Sequence, residues 1–145
     1  MAQVQVKKLD SRAIVPTSGS PFSAGYDLYA CLAESVTVPP HATVRIGTGL
    51  ALALPEHTFG AVFARSGLAT QQGLRPANCV GVCDSDYRGE YMVPIHNDSP
   101  EPRLISPGDR VAQLVLLPYL AVEFEEADAL PGTARGENGF GSTGI

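Results

Sequence analysis

The stretch Val36-Thr-Val-Pro-Pro-His-Ala-Thr-Val-Arg-Ile-Gly-Thr-Gly-Leu-Ala-Leu-Ala-Leu54 decides the fold class. Apolar residues recur at every second position in three short segments, which a Pro-Pro pair and a Gly-Thr-Gly turn separate. A period of two is typical of strands with one face in a core, and no helical stripe persists for three turns elsewhere in the chain. The stretch therefore predicts strands around Val36–Val38, Val44–Ile46 and Leu50–Leu54.

The same pattern continues along the rest of the chain. Further strand-like segments lie near residues 4–6, 59–63, 79–83, 91–95, 111–117 and 122–124. Fifteen glycines and twelve prolines separate them. Such spacing predicts an all-β fold, a jelly-roll-like barrel or sandwich of short strands, with one short helix near Gly67–Gln72.

Composition excludes several classes of protein. The net charge of −5, with only ten Lys and Arg residues in 145, argues against direct nucleic-acid binding, which depends on many basic contacts. No apolar run is long enough to span a bilayer, and no secretory pattern opens the chain. We therefore expect a cytoplasmic protein with no membrane contact.

The end of the chain differs from the rest. Residues 1–130 are predicted to form the β domain, and residues 131–145 a flexible arm containing five glycines. Phe140 is unusual there, because nothing else in the arm can bury it. A disordered end and an arm that orders over a ligand both remain open.

Four segments before the arm contain candidate functional residues. Arg65, Ser66 and Gly67 follow an apolar strand, and a helix start beside a guanidinium suits a phosphate, although a solvated Arg with an N-cap Ser would look the same. Asp27, within AGYDLYA, reads most simply as a turn or cap residue. Gln113 interrupts an apolar stripe and needs a hydrogen-bond partner.

The densest segment runs from Asn78 to Glu90, NCVGVCDSDYRGE. Its centre has turn chemistry, so the segment predicts a β-hairpin. Asp84 directly follows the apolar strand, and a carboxylate at the end of a strand can act as a general base for water. A hairpin alone does not explain Asp84, nor Tyr87 in the turn.

Five segments in order, AGYDLYA, ARSGLA, NCVGVCDSDYRGE, GDRVAQLV and RGENGFGSTG, resemble the motifs of the trimeric deoxyuridine triphosphatase family. The resemblance spans Ala24 to Gly144. It implies that Asp84 is the general base and that Asp27 assists through metal-bound water. It further implies that Tyr87 packs on the deoxyribose.

The resemblance assigns the other motif residues to substrate binding. Asn78, Val80, Gly81 and Val82 would read uracil, and Arg65, Ser66, Gly67 and Gln113 would bind phosphates. Phe140 would stack on uracil, and Arg135, Gly141, Ser142 and Thr143 would close over the phosphates. The implied reaction is hydrolysis of dUTP to dUMP and pyrophosphate.

The resemblance also implies a homotrimer with shared active sites and Mg²⁺ bound by the substrate phosphates and water, with no direct protein ligand. Two alternatives remain. A dCTP deaminase would share the fold but would need a deaminating acid–base site. A dUTP-responsive protein that binds a regulatory partner would use the same pocket without requiring catalysis.

Overall fold

The computed structural model describes residues 3–139, so Phe140, Gly141, Ser142 and Thr143 lie outside the described residues. Within that range the chain forms twelve strands and one helix. They are β1 (Gln5–Lys8), β2 (Thr17–Ser18), β3 (Tyr26–Tyr29), β4 (Val36–Val38), β5 (Thr43–Gly47), β6 (Leu50–Ala53), β7 (Thr58–Phe63), α1 (Ser66–Gln72), β8 (Leu74–Pro76), β9 (Gly81–Cys83), β10 (Met92–Asn97), β11 (Arg103–Ile105) and β12 (Arg110–Pro118).

The strands form four small sheets. The largest has the order β2-β3-β12-β7-β9, a second has the order β5-β10-β8, and β1-β6 and β11-β4 are pairs. All pairings are antiparallel. The predicted all-β class with a single short helix is confirmed for the described residues. No helix among them has the length and apolar character needed to cross a membrane.

One apolar core joins the sheets. Leu28 of β3, Ile46 of β5 and Ile95 of β10 are fully buried in it, as is Leu74 of β8. Most strands alternate buried and exposed residues as predicted, but in β6 Leu50, Ala51 and Leu52 are all buried. A strand covered on both faces loses the alternation.

Two strand predictions were wrong. The segment around Val122–Phe124 forms no strand, because its backbone finds no partner strand within the described part of the chain. The hairpin across Asp84–Gly89 is also absent: β9 pairs with β7, whereas β10 pairs with β5 and β8. Pairing with β5 buries Val93 and Ile95, and that burial outweighs the local turn chemistry.

The structure also corrects the interpretation of Asp27 as a turn or cap residue. Asp27 lies inside β3, opposite Gln113 of β12, and is therefore neither a turn residue nor a cap. β3 is only four residues long and carries a carboxylate, so its sequence alone does not predict a strand. Its backbone is ordered by hydrogen bonds to β12.

Asn97 is a buried polar residue that holds β10 against its neighbours. Its Nδ2 donates to the Val38 carbonyl at 3.0 Å and to the Glu101 carbonyl at 2.7 Å. Its Oδ1 accepts from the Ser99 backbone N–H at 2.9 Å and from Ser99 Oγ at 2.7 Å. One amide thus ties β4, β10 and the turn before β11 together.

We predict that Asn97→Ala lowers the free energy of unfolding by about 2–4 kcal/mol, because buried backbone groups lose their partners. Urea denaturation at a fixed protein concentration measures the change. The exposed Asn138→Ala serves as control and should leave stability unchanged. A loss at Asn97 no larger than that of the control would contradict this role.

Candidate active site

An open cavity of about 350 Å³ lies where β9, the turn after it and the start of β10 meet. Five of the residues singled out in the sequence line it: Asn78, Gly81, Val82, Asp84 and Tyr87. Val80 does not line it. Its backbone N–H donates to the Asn78 carbonyl at 2.6 Å, so Val80 belongs to the tight turn before β9.

Hydrogen bonds fix the turn that follows β9. The Tyr87 backbone N–H donates to the Asp84 carbonyl at 3.2 Å. Arg88 Nη1 donates to the carbonyls of Ser85 at 2.7 Å and Tyr87 at 3.0 Å. The Tyr87 hydroxyl donates to the Glu90 carbonyl at 3.0 Å. The turn therefore presents Asp84 and Tyr87 to the cavity in a defined arrangement.

Asp84 is exposed at the end of β9. Among residues 3–139, none forms a hydrogen bond or an ion pair with its carboxylate. The acceptor sites of this carboxylate are therefore available to a water molecule in the cavity, as a general base requires.

The floor of the cavity contains two neutral groups. Burial raises the pKa of the Cys83 thiol. Burial is also the main cause of the raised pKa of the Tyr91 phenol, to which the neighbouring Cys83 adds. Neither group carries charge near neutral pH, so the floor of the cavity adds no charge beside Asp84, while Arg45 and Glu90 also line the cavity.

A second polar cluster lies on β3, β12 and the end of β7. Asp27 accepts from Arg65 Nε at 2.7 Å and from Arg110 Nη1 at 3.4 Å. The predicted partner of Gln113 is also found, because its Nε2 donates to the Ala64 carbonyl at 2.9 Å. This cluster brings Asp27, Arg65 and Gln113 together.

Sequence reasoning missed two members of this cluster. Arg110 belongs to the GDRVAQLV segment, but only the strand register places it beside Asp27. Gly25 lies under Gln113, and a Cβ at this position would overlap the Gln113 side chain. A small residue before Tyr26 was the only available signal for this close approach.

Ser66 opens α1 and Arg65 precedes it. The first backbone N–H bonded within the helix is that of Ala69, which donates to the Arg65 carbonyl at 3.0 Å, and no side chain caps the helix. The earlier N–H groups, including those of Ser66 and Gly67, thus have no intrahelical partner. They can donate to an anion beside Arg65.

Asp84 and the cluster lie toward opposite ends of β7, although the cavity itself extends along β9 to Val62. Cys83 is opposite Gly60, and the strand then continues to Phe63, roughly 10 Å further along. Arg65 follows two residues later, away from Asp84. The predicted site residues are therefore divided into two groups within one chain.

Arg135 belongs to neither group by its contacts. Its Nε donates to the Asn138 carbonyl at 2.8 Å, and Gly136 between them has φ 53°, so residues 133–138 form a local turn. This segment is exposed. The structure does not place Arg135 against the cavity or the Asp27 cluster.

Comparisons with solved structures agree with this architecture. The dUTPase of Staphylococcus bacteriophage 80alpha with dUPNHPP is similar with a TM-score of 0.86 and 28% identity, and the match covers 100% of both chains. A mutant dUTPase of phage phi11 of S. aureus, described with a structural Mg(II) ion, matches with a TM-score of 0.78 and 25% identity over 88% of this chain and 98% of that chain. These similarities confirm the predicted jelly-roll-like β fold.

Sequence comparisons agree as well. The chain is 48% identical to the deoxyuridine 5'-triphosphate nucleotidohydrolase of Desulfitobacterium hafniense, covering 100% of this chain and 99% of the relative. It is 42% identical to the enzyme of the same name from Neisseria meningitidis, covering 99% and 97%. The dUTPase family model matches residues 11–144. Because this family model covers most of the chain and both relatives match over nearly its whole length, the chain belongs to the dUTPase family.

Proposed function

We propose that this protein hydrolyses dUTP to dUMP and pyrophosphate. The observation that carries the proposal is the cavity in which Tyr87 and the unpaired carboxylate of Asp84 face the same space. Curated relatives are named for this reaction, and a similar phage enzyme binds dUPNHPP. The reaction would limit uracil incorporation into DNA and supply dUMP for thymidylate synthesis.

Asp84 acts as the general base. Its carboxylate orients a water molecule and accepts its proton as the water attacks the α-phosphorus in line, with pyrophosphate leaving on the opposite side. The exposed position of Asp84 and its lack of a described partner support this role. Asp27, by contrast, already accepts from Arg65 and Arg110, so its carboxylate is engaged within the chain.

Uracil and deoxyribose bind in the same cavity. β9 is the last strand of its sheet, so one edge carries backbone N–H and C=O groups that no strand within residues 3–139 pairs. Asn78, Gly81 and Val82 read uracil there, with Val80 shaping the turn before them. A fixed donor–acceptor pattern rejects cytosine, because a mismatched base leaves buried polar groups unpaired. Tyr87 packs against the sugar and excludes a 2′-hydroxyl.

The Asp27 cluster binds the phosphates. Arg65 and the N–H groups of Ser66 and Gly67 supply positive charge and donors, and Gln113 holds the Ala64 carbonyl beside them. Their arrangement suits a polyanion even though the chain is acidic.

Mg²⁺ fits this donor set when the substrate supplies most of its ligands. The described residues contain no group of three or more His, Cys, Asp or Glu side chains that could hold a metal. Phosphate oxygens and water are the ligands that Mg²⁺ prefers, with Asp27 contributing through water. The bound ion would offset negative charge on the phosphates.

The active protein is a homotrimer in which each site combines residues of different subunits. The separation of Asp84 from Arg65 along β7 supports this assembly. So does the alternating segment after β12, where Leu120, Val122 and Phe124 are 84%, 61% and 93% exposed. A second copy would bury these side chains and provide the strand partner that this segment lacks.

The arm closes over the bound nucleotide. We assign residues 1–130 to the β domain and residues 131–145 to this arm. Phe140 stacks on uracil, and Arg135, Gly141, Ser142 and Thr143 contact the phosphates. The exposure of residues 131–138 and the absence of core contacts there support an arm that is free to reach another site.

Hydrolysis is favoured over the alternatives. The matched family model and the curated relatives are dUTPases, not deaminases. A role as a regulatory binding protein has no observation of its own in this chain. We place the enzyme in the cytoplasm, where it acts on free nucleotide without binding nucleic acid.

We predict that Asp84→Asn lowers kcat for dUTP by roughly 10²–10⁴ with little change in nucleotide binding, because the amide keeps the shape but cannot accept the proton. Pyrophosphate release measures kcat, and calorimetry with a non-hydrolysable dUTP analogue measures binding. Asp86→Asn, in the same turn, is the matched control and should stay near wild type. Near-normal turnover by Asp84→Asn would remove this residue from the base role.

We predict that deleting residues 134–145 leaves the melting temperature within a few degrees of wild type and sharply lowers turnover. The arm contributes no described core contact but would supply Arg135 and Phe140. Phe140→Ala alone should lower kcat/KM by roughly 10- to 100-fold, the effect of one lost stacking contact. If the truncated protein hydrolyses dUTP as well as the full chain, the assigned arm residues have no role in the reaction.

A further inference from the structure

The ring of Tyr87, which we propose contacts the sugar, packs against Tyr91 and Gly89, and neither residue is among the site residues assigned above. From this geometry we infer that Tyr91 is a positioning residue for Tyr87 and sets the selectivity of the enzyme for deoxyribose over ribose. The inference rests on the proposed function and deepens it. It concerns Tyr91 and also Gly89, the second residue that restricts the position of the Tyr87 ring.

The two tyrosine rings are in tilted contact. Their centroids are 6.0 Å apart and their planes make an angle of 48°. Aromatic pairs favour such an arrangement, because the positive edge of one ring meets the negative face of the other. Tyr87 is 44% exposed whereas Tyr91 is 2% exposed. Tyr91 is thus the fixed member of the pair and Tyr87 the member that meets substrate.

The backbone of Tyr91 is held from both sides. Its N–H donates to the Leu50 carbonyl at 2.8 Å. Its carbonyl accepts from Thr48 Oγ1 at 2.6 Å and from the Thr48 N–H at 3.2 Å. These bonds attach Tyr91 to the β5–β6 turn in the core. Because the core fixes the Tyr91 ring, the Tyr87 ring that packs on it is also restricted in position.

Gly89 supports Tyr87 from another direction. A Cβ on Gly89 would overlap the Tyr87 hydroxyl and the adjoining ring carbons. The Tyr87 hydroxyl also donates to the Glu90 carbonyl. The ring therefore has a close backbone contact at its hydroxyl end and Tyr91 beside it. Little freedom remains for it to turn away from the cavity.

The hydroxyl of Tyr91 has a different character from its ring. It is buried, and among residues 3–139 it makes no hydrogen bond of normal geometry; its polar neighbour is the Cys83 thiol, a weak hydrogen-bonding group. An unpaired buried hydroxyl costs stability, so the hydroxyl does not explain why a tyrosine ring is suitable here. The ring is the part that supports Tyr87. Tyr91→Phe therefore keeps the aromatic ring that packs on Tyr87 and removes the buried hydroxyl that costs stability.

Loss of the ring should act on sugar selection. If Tyr87 can tilt, space opens beside C2′ and the penalty against a 2′-hydroxyl falls. Binding of dUTP also weakens, because the sugar loses a fixed surface, while Asp84 still performs the chemical step. The expected signature is a higher KM for dUTP, a nearly unchanged kcat, and a raised ratio of UTP to dUTP in kcat/KM.

The test measures kcat and KM for dUTP and UTP with the full-length wild type, Tyr91→Leu and Tyr91→Phe. We expect Tyr91→Leu to raise the UTP-to-dUTP ratio by about two- to tenfold, the effect of losing one aromatic pair. Tyr91→Phe should retain the wild-type ratio and melt at the same or a higher temperature. Tyr87→Ala removes the ring that we propose contacts the sugar, so it sets the upper limit for the change in the UTP-to-dUTP ratio.

Two further variants separate positioning from general destabilisation. Val93→Ala removes a buried side chain of β10 without touching Tyr87, so it should lower the melting temperature and keep the ratio. Gly89→Ala displaces Tyr87 from the turn side and should raise the ratio even if Tyr91→Leu does not fold.

An unchanged ratio in Gly89→Ala and in any folded Tyr91→Leu protein would overturn the inference, as would a Val93→Ala protein with the same altered ratio. A wild type that releases no pyrophosphate from dUTP would instead contradict the proposed function.

Discussion

The antiparallel register of β7 against β9 and β12 is the constraint on which the rest of the site depends. It places Gly60 opposite Cys83, which precedes Asp84, and Phe63 opposite Gln113, so Asp84 and Gln113 lie toward opposite ends of β7. Every later feature follows from that arrangement. Asp84 and Tyr87 share one cavity, whereas the guanidinium of Arg65 and the carboxylate of Asp27 lie beyond it. In the function we propose, one chain thus contributes two separate groups of residues to the site.

The two groups of residues differ in electrostatics, and the difference matches their proposed work. Asp84 has no ion-pair partner among the described residues, and the Cys83 thiol and Tyr91 phenol beneath it are neutral, although Arg45 and Glu90 line the same cavity. Asp27 is bound by Arg65 and Arg110, so this acidic chain keeps two guanidiniums ordered without leaving them to repel each other. An arriving polyphosphate with its metal ion would meet a charged cluster that is already organised.

Much of this could be predicted from the sequence, and the failures have physical causes. Period-two patterning located the longer strands, and the position of Asp84 directly after a strand was also predicted correctly. The β9–β10 hairpin was wrong because burial of Val93 and Ile95 against β5 depends on long-range contacts. The short strand β3 was not predicted, because its backbone is ordered by pairing with β12. The contact between Arg110 and Asp27 was not predicted either, because only the strand register brings the two residues together. The support of Tyr87 by Gly89 and Tyr91 could not be read from spacing, because it is a matter of ring packing.

The central claim is that Asp84 of one subunit works with Arg65 of another. The most direct measurement mixes two variants, Asp84→Asn and Arg65→Ala, each with little activity alone, and refolds them together in equal amounts before pyrophosphate release from dUTP is assayed. In random trimers one site in about four would combine an intact Asp84 with an intact Arg65 from the neighbouring subunit, so about a quarter of wild-type activity should return. A mixture that stays as inactive as its components would contradict the account, because it would mean that each chain needs both residues itself.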